Sequence, residues 1–150
     1  MKPIRRILYA TDFSPASRRA FATALALARS LHARLTIASV LAPIVTVPEQ
    51  YLDPATIETL DRQAREWSMK QLKRLAERSR KAGVNATVVL RDGDPADQII
   101  AGCRATRSDL VVVGTHGRRG LPKFFLGSVA GRVSSMAPCP VVTVRGGSSR

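Results

Sequence analysis

The sequence predicts an α/β fold with a parallel sheet covered by helices on both faces. Three observations predict it. Short aliphatic runs alternate with helix-periodic segments from end to end, without a break in composition or an internal repeat. The aliphatic runs are continuous rather than alternating in polarity, as expected of strands buried on both sides. Three segments begin with the same device, a side-chain acceptor followed by proline, at Ser14-Pro15, Asp53-Pro54 and Asp94-Pro95.

In chain order, the strand candidates are Ile4–Ala10, Leu35–Val40, Ala86–Leu90, Leu110–Val113 and Val141–Val144, all short and mostly β-branched or aliphatic. The Ser or Asp at each acceptor–proline pair can take a hydrogen bond from an orphan N–H of the first helical turn. Proline at the first helical position gives up an N–H that had no partner there. The second helix is the longest, with Ile57, Leu60, Ala64 and Trp67 on an apolar stripe that continues through Leu72, Leu75 and Ala76. Trp67 keeps the helical period and so reads as core or interface rather than as a platform for stacking bases. The opposite face pairs Glu58 with Arg62, Asp61 with Arg65, Glu66 with Lys70 and Glu77 with Lys81 one turn later, a solvated surface. Gly83 reads as the C-terminal stop.

At 150 residues the chain has the size of one domain, expected over residues 1–145, with the glycine- and serine-rich residues 146–150 as a flexible tail. The formal net charge is +13, and no acidic residue follows Asp109, whereas Arg118, Arg119, Lys123, Arg132, Arg145 and Arg150 do. That final quarter attracts anions, so nucleic acid, anionic membrane and phosphorylated small molecules all enter as partners. Nucleic-acid binding rests on net charge alone, because the long helix balances its own charges, and is not expected. Cys103 and Cys139 lack metal or redox spacing and read as apolar fillers. No run approaches the roughly 20 apolar residues needed to span a bilayer, which makes no membrane partner and cytoplasmic residence the expectations.

Ligands of open parallel sheets bind outside the carboxyl ends of the strands. Those ends carry Ala10-Thr11-Asp12, Ser39-Val40, Arg91-Asp92-Gly93 and Gly114-Thr-His-Gly117. Gly114 and Gly117 allow tight turns and close approach of backbone N–H groups to an anion, and Gly127-Ser128 opens the next helix, whose N-terminus favours phosphate. The same glycines also suit ordinary turns, with Gly127 and Gly131 admitting close packing of the last helix. Other phosphate motifs are absent: no lysine follows a glycine, ATDFSPAS stands where GxGxxG would open a dinucleotide fold, and there is no GxSxG elbow.

The spacing Gly114-x2-Gly117-x9-Gly127-Ser128, with Ile7-Leu-Tyr-Ala-Thr-Asp12-Phe-Ser14, Asp92-Gly-Asp-Pro95, Asp109-Leu-Val-Val-Val-Gly114 and Ala137-Pro-Cys-Pro140-Val-Val-Thr-Val144, resembles the ATP-binding branch of the universal stress protein family. The resemblance covers nearly the whole chain. It implies an open five-stranded, Rossmann-like parallel sheet in the order 3-2-1-4-5, with ATP across the ends of strands 1 and 4. Carried over residue by residue, it assigns Asp12 to ribose, Ala10 and Thr11 to the pocket wall, Val40 to adenine, and Gly114, Gly117, Gly127, Ser128 and Val129 to the phosphates. Mg²⁺ would accompany the triphosphate, although no dedicated carboxylate cluster is visible. The resemblance also implies a homodimer through antiparallel pairing of Val141–Val144, an uncharged edge that would otherwise invite aggregation.

Hydrolysis would need a positioned base. His116, Asp12, Asp92 and Asp94 are the candidates, and they form no catalytic set; His32 reads as a helix-end partner. The expected function is therefore a nucleotide-binding sensor or regulator with a regulatory protein partner, not an enzyme, whose ATPase activity, if present, is weak. Two alternatives stand beside it, a scaffold of the same fold that binds protein without nucleotide, and a basic nucleic-acid-associated protein. The basic segment Arg118–Lys123, stiffened by Pro122, either adds charge to a triphosphate site or is solvated.

Overall fold

The computed structural model describes residues 1–43, 51, 53–116 and 126–146. Five strands, β1 (Arg6–Ala10), β2 (Arg34–Leu41), β3 (Ala86–Asp92), β4 (Leu110–Gly114) and β5 (Val141–Val144), form one parallel sheet in the order β3-β2-β1-β4-β5. The strand order and the two covered faces agree with the sequence-based expectation. The helices are α1 (Pro15–Ser30), α2 (Pro54–Lys81), α3 (Pro95–Ala105) and α4 (Ser128–Met136).

All three acceptor–proline pairs start helices: the side chains of Ser14, Asp53 and Asp94 accept from the N–H groups of Ser17, Thr56 and Asp97. Gly83 follows α2 in the left-handed region at φ 82°, where a Cβ is disfavoured. Strand periodicity divides the core into two layers. Ile7, Tyr9, Leu35, Ile37, Leu110 and Val112 face α1 and α2 and meet Phe21, Ala24 and Leu72. Leu8, Ala10, Ala38, Val111 and Val113 face α3 and α4 and meet Ile99, Ile100, Cys103 and Val133. Small residues in α1 (Ala20, Ala24, Ala28) let that helix sit close to the central strands.

Some expectations need correction. β1 starts at Arg6 rather than Ile4, where its pairing with Arg34 begins, whereas β2 includes Arg34 and Leu41, β3 runs on to Asp92 and β4 to Gly114, because parallel pairing continues beyond those apolar runs. The stripe on α2 is buried only in its second half: Leu72 and Ala76 are enclosed, whereas Ile57, Leu60 and Trp67 are exposed. Trp67 nevertheless meets Phe13 edge-on, with ring centroids 5.2 Å apart. On α2, Asp61–Arg65 and Glu77–Lys81 form ion pairs, and Arg65 also bridges to Asp92 at the end of β3. Residues 147–150 of the expected tail lie outside the described residues.

One carboxylate holds the entrance of the central strand. Asp109 Oδ2 accepts from the N–H groups of Arg5 and Arg6, both at 3.0 Å, while the Asp109 N–H donates to the Arg6 carbonyl at 2.8 Å. Desolvation pushes the Asp109 carboxyl upward, but those N–H bonds and the Arg6 guanidinium outweigh it and hold the group below the usual carboxylate value. A depressed folded-state pKa adds stability that is complete above the unfolded value, near 3.9, and is lost as pH falls through the lower folded value. Asp109→Ala is therefore expected to lower stability by about 1–3 kcal/mol at neutral pH. The gap should narrow below about pH 4, as chemical denaturation of both proteins across pH will measure.

Candidate functional site

The parallel register sets the site. Tyr9 lies beside Val112, so one step further Ala10 comes level with Val113 and Thr11 with Gly114. On the other side Ala10 pairs with Ala38. β1 leads through α1 to β2 on one side, whereas β3 leads through α3 across to β4 on the other. The crevice beyond β1 and β4 is thus the point where strand order reverses.

The β1–α1 turn is held by a buried chain of hydroxyl groups. Ser39 Oγ donates to the Thr11 carbonyl at 2.8 Å, Ser17 Oγ donates to Thr11 Oγ1 at 2.6 Å, and the Tyr9 hydroxyl donates to the Ser17 carbonyl at 2.6 Å. Thr11 Oγ1 also accepts from the N–H of Phe13, which sits in the left-handed region at φ 63°, and the Thr11 N–H reaches the Ala38 carbonyl. Burial pushes the Tyr9 hydroxyl above its ordinary pKa, so it remains a donor. Asp12 follows at the mouth of β1, where Oδ1 accepts from the Ser14 N–H at 2.9 Å.

A second turn leaves β4. Thr115 donates its N–H to the Val144 carbonyl, and its own carbonyl accepts from the Gly127 N–H at 2.7 Å. That bond brings the two ends of the glycine-bearing segment together. A Cβ on Gly127 would lie 2.9 Å from the Thr115 oxygen, so no side chain fits without displacing backbone. Gly114 stands where a Cβ would touch the Ala16 backbone at 3.4 Å, the first turn of α1. Thr115 Oγ1 also meets His116 Nδ1 at 2.9 Å.

Gly127 is the N-cap of α4, and α4, unlike the three acceptor–proline helices, has no capping side chain. The N–H groups of Ser128 and Val129 open its first turn, with Ser128 exposed and Val129 half-buried. This gives an anion-favouring end with the positive pole of the helix behind it.

Most of the predicted site residues meet at this crevice. Ala10 ends β1 and is followed by Thr11 and Asp12, Val40 lies near the end of β2 beside Arg91, Gly114 ends β4, and Gly127 leads into Ser128 and Val129 at the start of α4. Ala10 and Thr11 are buried, and Thr11 acts within the turn through its side chain. The Gly127 N–H is already bonded, which leaves the donors of Ser128 and Val129 to face outward. Among the described residues, Gly131 has no close neighbour that a Cβ would strike, the nearest being Leu126 Cδ2 at 3.9 Å. Gly117, Arg118, Arg119, Pro122 and Lys123 lie outside the described residues. Sequence reasoning missed Ser17, Ser39 and the left-handed Phe13. A Ser at the third position of α1, on the face of Phe21 and Ala24, was the available hint of the first.

The carboxylates beyond β3 have arginine partners. Arg132 of α4 bridges Asp94 at 2.9 Å and also contacts Asp97, and the capped Asp97 N–H together with Arg132 keeps the Asp94 carboxyl below its usual value. Among the described residues, no three His, Cys, Asp or Glu side chains converge as metal ligands would, and no helix is long and apolar enough to cross a membrane.

Comparison with known proteins adds family information. The family model described as the universal stress protein family matches residues 3–145. The chain is 33% identical over 150 residues to universal stress protein YxiE of Bacillus subtilis, covering 93% of this chain and 98% of that protein. It is 32% identical over 143 residues to universal stress protein MJ0531 of Methanocaldococcus jannaschii, covering 94% and 82%. Among solved structures, universal stress protein UspA from Lactobacillus plantarum matches with a TM-score of 0.77 at 26% identity, covering 97% of this chain and all of that one. A universal stress protein in complex with cAMP matches at a TM-score of 0.71 and 23% identity, covering 97% and 100%. An Arabidopsis thaliana family member with AMP bound matches at 0.70 and 23%, covering 96% and 93%.

The contact at Gly127 can be tested apart from any ligand. Gly127→Val should displace the start of α4 and lower stability by about 1–3 kcal/mol, whereas Gly131→Ala, with open space around it, should leave the melting midpoint unchanged or raise it slightly.

Proposed function

The chain belongs to the universal stress protein family, and on that premise we propose that it binds an adenine nucleotide, ATP in the first instance, across the ends of β1 and β4. The observation that carries this reading is the uncapped start of α4 at the crevice where strand order reverses. The cAMP and AMP bound by two fold neighbours support the adenine part. In this proposal Asp12 takes a ribose hydroxyl, Ala10 and Thr11 form the wall, and Val40 meets adenine. The N–H groups of Ser128 and Val129 with the Ser128 hydroxyl take phosphate, and Gly114, Gly117 and Gly127 keep the backbone close. The donor set fits phosphate because N–H and O–H groups converge there and the helix end is positive. Mg²⁺ would come with the nucleotide's own phosphates, since no ligand cluster is present among the described residues.

The role we assign is a cytoplasmic sensor or regulator rather than an enzyme, made of a single domain over residues 1–145 that exposes a nucleotide-dependent surface to a protein partner. The dimer belongs to the same proposal. Val111 of β4 and Thr115 just beyond it donate to the carbonyls of Pro140 and Val144. By alternation Val142 also turns inward, and Val141 and Thr143 direct their N–H and C=O groups away from the sheet. That outer row is the edge a second copy would pair with.

Two substitutions test these assignments. Ser128 is the first helical residue and Gly127 has φ −57° and ψ 155°, values that suit the residue before proline. Ser128→Pro thus removes one N–H and the hydroxyl while keeping the helix start. Calorimetric titration of the native chain with ATP and Mg²⁺ should give micromolar binding that AMP competes for, and Ser128→Pro should weaken it at least tenfold with the melting midpoint unchanged. Equal affinity in the two proteins would remove Ser128 from the site, and no native binding would overturn the nucleotide reading. Light scattering after size exclusion should give a dimer for the native chain and a monomer for Thr143→Pro, which loses an outward N–H but no bond to β4.

A further inference from the structure

Cys103 and Cys139 are 36 residues apart in sequence, yet their Sγ atoms lie 3.1 Å apart, and both are free thiols. Cys103 is on α3 and almost fully enclosed, and Cys139 is half-buried in the turn before β5, between Pro138 and Pro140. We propose that the pair is a reversible oxidation site at which a hydroperoxide converts the two thiols into an intramolecular disulfide.

Geometry makes the bond accessible. The sulfurs need to approach by about 1 Å to reach the normal disulfide length of about 2.05 Å. The flanking prolines fix two φ angles of the turn, and Cys139 packs against the buried cluster that contains Ile99, Ile100 and Cys103 of α3. The two thiols also divide the chemistry. Burial, and then the hydrogen bond to Cys139, pushes the Cys103 thiol up to about 12, so it does not meet an oxidant in solvent as a thiolate. Cys139 is the more accessible partner and reacts first. Its sulfur attacks one peroxide oxygen, an S–O bond forms, the O–O bond breaks, and an alcohol or water leaves with the thiol proton. The Cys103 sulfur then attacks the Cys139 sulfur, the S–S bond forms, the S–O bond breaks, and the hydroxide leaves as water with the Cys103 proton. The two cysteines lose two electrons and the peroxide gains them.

The closed ring would run from α3 through β4 and α4 to the turn before β5. In a reducing compartment such pairs remain dithiols until oxidant appears, and this distinguishes a sensing pair from a structural disulfide. The proposal is independent of the nucleotide reading.

The test uses the full chain, reduced, freed of reductant, treated with equimolar hydrogen peroxide and compared with an untreated sample. Expected are loss of both titratable thiols, a monomeric product lighter by two hydrogens, and a non-reducing digest joining the peptides of Cys103 and Cys139. The melting midpoint should rise by on the order of 5–10 °C and fall back with dithiothreitol. Cys139→Ser, at a half-buried position, should show no midpoint shift on treatment. Two thiols still titratable after treatment, an intermolecular disulfide, or the same shift in Cys139→Ser would overturn the proposal. If that variant does not fold, the thiol count and the linkage in the native chain decide alone.

Discussion

Everything at the carboxyl edge of the sheet depends on how the chain turns from β1 into α1, and Thr11 makes that turn. Its N–H and C=O groups are both bonded to β2, through the Ala38 carbonyl and the Ser39 hydroxyl, so the backbone is fixed before the turn begins. Its hydroxyl oxygen then accepts from Phe13 and Ser17 and holds the next two steps of the path. Phe13 adopts a conformation that costs a non-glycine residue on the order of 1 kcal/mol or more, and its ring lies against Trp67. Asp12 stands between these fixed points and is oriented by them. A low-dielectric setting strengthens each bond in the chain of hydroxyls and makes a missing partner costly, so the arrangement is cooperative.

The ion pairs supply a second layer of order. Arg65 connects Asp61 on α2 with Asp92 at the end of β3, and Arg132 connects α4 with the first turn of α3. Exposed pairs of this kind add little stability. Asp94 and Asp97 share the Arg132 guanidinium, and Asp92 shares that of Arg65 with Asp61, so the pairs offset part of the acidic charge beyond β3.

Local chemistry was legible in the sequence and spatial coincidence was not. Ser14, Asp53 and Asp94 could be read as caps because an acceptor and a following proline determine a helix start within four residues. The sheet order and most of the crevice came with the spacing of Gly114, Gly127 and Ser128 and its family resemblance. Periodicity along α2 defines an apolar face but not what covers it, and on that face Ile57, Leu60 and Trp67 are exposed. The meeting of Cys103 with Cys139, and of Ser39 and Ser17 on Thr11, depends on elements brought together by the sheet. No pairwise spacing encodes either one. The bonded N–H of Gly127 also shows why a glycine motif is ambiguous, since one residue serves close packing while its neighbours carry the donors.

The position of β1 has a consequence for how the chain assembles as it is made. The first of the five strands in chain order is the middle one of the sheet, and the carboxylate that closes its entrance comes 103 residues after Arg6. β1, β2 and β3 can pair as soon as they emerge, but the β4 side of β1 stays an open hydrogen-bonding edge until residues 109–113 arrive. For that interval the growing chain presents Ile7, Leu8 and Tyr9, later its most enclosed residues, on an unpaired strand. Such non-local closure is slow relative to helix formation, so the half-formed sheet is the stage at which an unpaired strand is open to wrong partners.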